Sequence, residues 1–262
     1  MTGTIGGEET FKIYKSKYFN SNLIFIPSYM SKRFIELPPI ICKEDYEKHL
    51  IQICKEIIFE YSKGRKILVI CKDIKEGNDI TKMLQEREFI PDNDNFLLNN
   101  SYKKDIFQYL RNDADNMENE LNMAKKRIII STNLGGRGTD IKTTDKEEEN
   151  GGLHVIITKL SKNSRTQKQA FGRTSRKGNK GSGQYICTEK KKLKTYNQLL
   201  KDRDEKEKNF INNINLDYLI YKDNLFQKYI HFIHDDLNQR GEDNYLKSDI
   251  DEKWAFFLNE NV

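Results

Sequence analysis

Strand-length apolar runs that alternate with helical stripes constrain this chain more than any other feature. KILVIC (66–71), RIIIST (127–132) and GGLHVIIT (151–158) are rich in β-branched residues and lack the in-out alternation of a sheet with one wet face; SGQYICT (182–188) reads as a further strand, and FLLN (96–99) as a shorter one. KEDYEKHLIQICKEIIFEYSKG (43–64) sets Tyr46, Leu50, Ile53, Cys54, Ile57, Ile58 and Tyr61 on one helical stripe and stops at Gly64. Asp73 with Glu76 three residues on starts another helix, running through Leu84. A charged stretch from Asp113 to Lys126 is helical in pattern as well. The expected fold is therefore α/β, a parallel sheet with helices on both faces, and ligands are expected beyond the carboxyl ends of its strands.

Composition removes several classes of function. Cys42, Cys54, Cys71 and Cys187 are scattered without a C-x-x-C pair, which argues against a zinc site or a disulfide framework and for a reducing cytosol. The longest apolar runs are strand-length, and the start MTGTIGGEE has neither the basic nor the apolar region of a secretion signal. The net charge of +5 arises from 45 basic and 40 acidic residues, so local clustering matters more than the total. After Glu189 the chain turns lysine-rich and helical in pattern with no strong strand signal, which places a boundary near 190.

Two stretches carry candidate chemistry. The first, NLGGRGTD (133–140), follows a strand; its glycines let backbone amides approach an anion, with Arg137 and Asp140 flanking. It is neither a Walker A motif nor G-x-G-x-x-G. The second lies in a run from Lys159 to Thr188 that holds eight basic residues and no acidic one. Within it QAFGRTSRKG (169–178), read as a helix, puts Gln169, Arg173 and Arg176 on one face, a fork suited to phosphate oxygens. His231 and His234 share a helical face but lack a third ligand, so no metal site is expected; His154 reads as a core residue and KEEEN (146–150) as an exposed loop.

STNLGGRGTDI, then GGLHVI, then Q-x-x-G-R-x-x-R at Gln169, Gly172, Arg173 and Arg176 together resemble the second RecA-like motor lobe of SecA, the preprotein translocase ATPase. MTGT at 1–4 resembles the end of that family's first lobe, and the wording NSRTQKQAFGRTSRKG is closest to SecA-like domains of large eukaryotic proteins. Ile157 and Lys159 depart from the small and acidic residues of the bacterial proteins, and the link between Ile141 and Gly151 is shorter than theirs. The resemblance implies a linker from the first lobe over 1–40, a RecA-like lobe over 41–188 and a helical tail over 189–262.

It also implies function. ATP with Mg2+ would be held mainly by a separate Walker-bearing lobe, in cis or in trans. Gly136, Arg137, Gly138 and Asp140 would form a nucleotide-sensing loop joined by Gln169, Arg173 and Arg176 would be the catalytic arginines with Arg176 as the finger, and Thr2, Gly3 and Thr4 would couple hydrolysis to motion. Expected partners are that first lobe, an unfolded protein substrate and a translocon or membrane surface approached from the cytoplasm. A non-hydrolysing interaction module is the alternative. Half of a nucleic-acid helicase is a third reading, disfavoured because the basic run lacks a regular interleaving of aromatics for base stacking.

Overall fold

A computed structural model describes residues 29–43, 45–87, 101–110, 125–132, 141–189, 194–213, 221 and 224–231. Seven strands are found among them: β1 (Arg33–Glu36), β2 (Ile40–Lys43), β3 (Lys66–Cys71), β4 (Ile106–Tyr109), β5 (Ile128–Thr132), β6 (Leu153–Ile157) and β7 (Lys180–Glu189). Every pairing is parallel, in the order β1-β7-β6-β3-β5-β4, with β2 also on β7. All six residues of β3 are buried, as a strand covered on both faces requires.

The two faces have separate cores. Helices α1 (Tyr46–Ser62) and α2 (Ile74–Glu86) cover one, where Ile53, Ile57, Ile80 and Leu84 meet Ile67, Val69, Ile128 and Ile130. Helix α4 (Ser164–Phe171) and Tyr196, the first residue of α5 (Tyr196–Asn212), lie on the other with Leu68, Ile129, Val155, Phe171 and Tyr185. Asp45 and Asp73 cap α1 and α2 by accepting from the amides of Lys48 and Glu76.

Several sequence expectations need correction. Residues 33–36, assigned to a linker, form β1 on the sheet edge: β7 is long enough that β1 pairs with its first half and β2 with its second. Pro38 and Pro39 interrupt the edge because proline has no amide to donate, and Gln184 reaches across to donate to the Pro38 carbonyl at 2.8 Å. Lys146 to Glu149 of KEEEN lie in a short helix, α3 (Asp145–Glu149), started by a full capping box between Thr144 and Glu147 and capped at its end by Asn150. FLLN and most of 113–126 lie outside the described residues, and β4 runs over 106–109.

The compact unit holding the sheet extends to Glu207, past the boundary expected near 190, because α5 packs on it through Tyr196 and Arg203. In the second unit, from Lys208, residues 224–231 are helical and bury Leu225 and Tyr229 one turn apart.

Buried ionic groups join the strand starts. Glu60, fully buried at the end of α1, accepts from Arg65 Nη1 at 2.7 Å and Lys63 Nζ at 2.6 Å. Arg65 also donates to the Gly151 and Gly152 carbonyls and, at 2.7 Å, to Ser182 Oγ, which is 2.7 Å from His154 Nδ1. This network pins β6 and β7 beside the entry to β3. Burial raises the Glu60 carboxyl, but His154, Lys63 and Arg65 outweigh it and hold the group below its usual range; burial pushes His154 down to about 4.

Candidate functional site

Helix α4 sets the site. Asn163 caps it, accepting from the Thr166 amide at 2.8 Å, and the helix ends at Phe171, which Phe34 and Tyr185 grip at ring distances of 5.3 Å each. Gln169, Arg173 and Arg176 therefore do not share one helical face: Gln169 is in the last helical turn and both arginines follow it. Thr174, almost fully buried, donates from Oγ1 to the Leu153 carbonyl at 2.6 Å and pulls the chain off the helical path. Ser175 (φ 57°) and Lys177 (φ 52°) complete a tight turn, closed by Asn179 N donating to the Arg176 carbonyl at 3.0 Å. Close approach needs Gly181, where a Cβ would lie 2.0 Å from Thr174 Oγ1.

The turn brings Arg173 and Arg176 into the lining of one cavity of about 250 Å³, with Lys142, Lys177 and Lys180 beside them. Arg173 is buried, whereas Arg176 is exposed and steered by its Nε donating to the Gly172 carbonyl at 3.0 Å. Glu148 is the sole acidic residue described in the lining; it accepts from the Lys180 amide at 2.9 Å and from the Thr143 hydroxyl. Among the described lining residues five are cations and one is a carboxylate, a composition suited to anions.

The cavity lies at the amino edge of the sheet, since Leu153 and Lys180 open β6 and β7. The loop expected beyond the carboxyl ends, NLGGRGTD, lies outside the described residues. Helix α4 returns antiparallel to β6, so whatever follows its last residue arrives where the strands begin.

Gly136, Arg137, Gly138 and Asp140 lie outside the described residues, as do Thr2, Gly3 and Thr4. The chain entering that glycine segment leaves β5 at the carboxyl edge, and it re-emerges at Ile141 in the wall of the arginine cavity. Lys66, buried at the start of β3, holds this wall by donating to the Lys142 carbonyl at 3.0 Å. Burial lowers its amine and Glu147 opposes that. Gln169 does not line the cavity. Sequence reasoning passed over Lys142, Thr174 and Glu148; Lys177 and Lys180 lay within the basic run.

A second cavity, of about 330 Å³, sits at the carboxyl edge among Ile70, Lys72, Ile157, Lys159, Leu160 and Lys162. Among the described residues no cluster of His, Cys, Asp and Glu is arranged to hold a metal, and none of the four cysteines is in a disulfide.

A parallel sheet of this order, with an arginine turn after the helix that follows β6, defines the second RecA-like lobe of helicase-like motors. The helicase conserved C-terminal domain family matches residues 48–178, half of the chain, and the chain belongs to that family. It is similar to the protein translocase subunit SecA of Halothermothrix orenii, 32% identical over 193 residues that cover 72% of this chain and 20% of that protein. It is also similar to the protein translocase subunit SecA 2 of Geobacillus thermodenitrificans, 29% identical with 72% and 22% covered. The chain thus spans about a fifth of the length of these curated relatives. Domain 2 of the Mss116p DEAD-box helicase bound to an RNA duplex is a solved structure with 18% identity and a TM-score of 0.40, covering 58% of this chain and 54% of that one.

Proposed function

We propose that this chain is the second motor lobe of a SecA-like ATPase, contributing Arg173 and Arg176 to ATP held by a Walker-bearing lobe. The observation that carries the reading is their convergence on one cation-rich cavity, beside the point where the chain leaving the glycine segment returns. Guanidinium forks match phosphate oxygens, and cations delivered from across a lobe interface stabilise charge that develops during phosphoryl transfer. Gly136, Arg137, Gly138, Asp140 and Gln169 are assigned to sensing the nucleotide and Thr2, Gly3 and Thr4 to coupling; the magnesium ligands are assigned to the first lobe.

Two charge-assisted contacts contribute about 3–6 kcal/mol before ordering costs, and a millimolar dissociation constant already needs about 4 kcal/mol. Binding to this lobe alone is therefore weak, and turnover requires the pair. In keeping with the similarity to translocase subunits, the work performed is moving or remodelling an unfolded protein, with the motor in the cytoplasm and contacting a membrane or translocon from outside the bilayer. No helix among the described residues is long and apolar enough to cross a membrane.

The test combines this chain with a Walker-bearing first lobe and follows phosphate release. Arg176→Ala is expected to cut turnover by roughly a thousandfold or more while ATP binding persists. Unchanged turnover removes the assignment.

A further inference from the structure

The segment after β7 returns across α4, the helix that delivers the arginine turn. Arg203 of α5 is only 8% exposed. Its Nε and Nη2 grip the neighbouring Asp204 carboxylate at 2.8 and 2.6 Å, which fixes the guanidinium plane. The remaining nitrogen, Nη1, donates to Gln167 Oε1 in the middle of α4 at 2.5 Å. One turn further along α5, the Glu207 carboxylate accepts from the Ser164 amide at 3.4 Å, a negative group at the positive end of α4.

A second line of contact reaches the other end of α4. Tyr196, held by its hydroxyl donating to Glu36 at 3.0 Å, packs against Tyr185 with tilted rings 5.7 Å apart. Tyr185 in turn meets Phe171 edge-on at 5.3 Å, two residues before Arg173. Helix α5 thus holds α4 at both ends, by polar contacts near its start and by aromatic contacts where the arginine turn begins. In a close-packed interior, strain at one contact of a short helix passes to its other contacts.

We propose that Arg203 is a positioning residue: through Gln167 it sets the placement of α4, so the posture of α5 determines where Arg173 and Arg176 stand in their cavity. Anything that rotates or draws on α5 then changes how well the lobe meets phosphate. The functional consequence rests on the phosphate reading above; the positioning itself does not. Lysine is a poor substitute for Arg203, because one ammonium cannot span both Asp204 and Gln167 with the fixed geometry of the fork.

Side-chain Nε–Hε NMR signals of Arg173 and Arg176 in the whole chain provide the test, first without ligand and then during titration with sodium tripolyphosphate. Arg203→Met is expected to shift both signals in the ligand-free protein and to weaken tripolyphosphate binding by roughly twofold to tenfold. Gln167→Ala removes the same contact from the less buried side, serves if Arg203→Met fails to fold, and is expected to produce the same shifts. The double variant should be no worse than the more severe single one, because both delete one interaction. Lys201→Ala, exposed on α5, should change neither readout.

Ligand-free signals that stay in place in Gln167→Ala, or fully additive effects in the double variant, overturn the positioning role. Shifted ligand-free signals in the variants, beside wild-type signals that ignore tripolyphosphate even at concentrations that fill weak millimolar sites, keep that role and overturn the phosphate reading instead.

Discussion

The two edges of the sheet use buried polarity differently. At the amino edge, Glu60, Arg65, Lys66, Ser182 and His154 reach across neighbouring strands, and the arginine turn rests on the same strand starts. At the carboxyl edge the buried acid is Glu76: it accepts from the Lys72 amide at 2.7 Å and from the Thr158 hydroxyl, with His49 Nε2 at 3.6 Å. The cationic groups there, Lys72, Lys159 and Lys162, are exposed single charges on long stems. The contrast lies in the donors: the amino edge carries guanidinium forks on a turn tied to the strand starts. The described cations lining the carboxyl-edge cavity are single ammonium groups, which cannot match a phosphate bidentately.

The largest expected difference between the edges is catalytic. In the two-lobe assay Arg176→Ala should cost roughly a thousandfold or more in turnover, whereas Lys159→Ala at the carboxyl edge should leave it near wild type. Equal losses at both sites would erase the contrast. Next comes Arg65→Met, which strands the buried Glu60 carboxylate with one remaining ion-pair partner, Lys63. Urea unfolding should register a loss of about 3–5 kcal/mol.

A smaller effect is expected in the acid range. The unfolded chain protonates His154 near 6.5 and the native protein near about 4, so between these values the unfolded state holds more protons and stability falls as pH drops. The loss amounts to at most about 3 kcal/mol by pH 4. His154→Leu should flatten that slope in urea titrations at pH 7 and pH 5, and an unchanged slope removes His154 as its source. Smallest is Gly181→Ala, whose Cβ would press on Thr174 Oγ1 at 2.0 Å and on the Ser175 amide at 2.8 Å. A stability loss of about 1–3 kcal/mol is expected, together with displaced Arg173 and Arg176 side-chain signals. Displacement without any stability change would show that the turn, and not the strand, yields.

Much of the fold was legible because it rests on local pattern. KILVIC is buried on both faces wherever its neighbours lie, so its composition alone marks a covered parallel strand. The helix over 43–64 and the Asp73 cap are set by side chains within a few residues of one another. β1 escaped notice because RFIE carries little apolar signal and is a strand only through its partnership with β7. At the site the two arginines were legible as types of residue at a spacing, but the spacing suggested a longer helix than forms. The Thr174 hydroxyl and the missing Cβ of Gly181 end it, and those two positions meet only across strands.

By itself the sequence determined the alternation of strands and helices, the parallel sheet and the presence of a guanidinium pair after a glycine-rich segment, since each follows from hydrophobic period and local chemistry. The tertiary structure alone decided that the pair stands at the amino edge with Lys142, Lys177 and Lys180, and that α5 grips the helix that delivers it. The physical reason is that one residue in β6, one in the turn and one in β7 share a surface only after β6 and β7 have paired and α4 has folded back between them. No period along the chain encodes that distance.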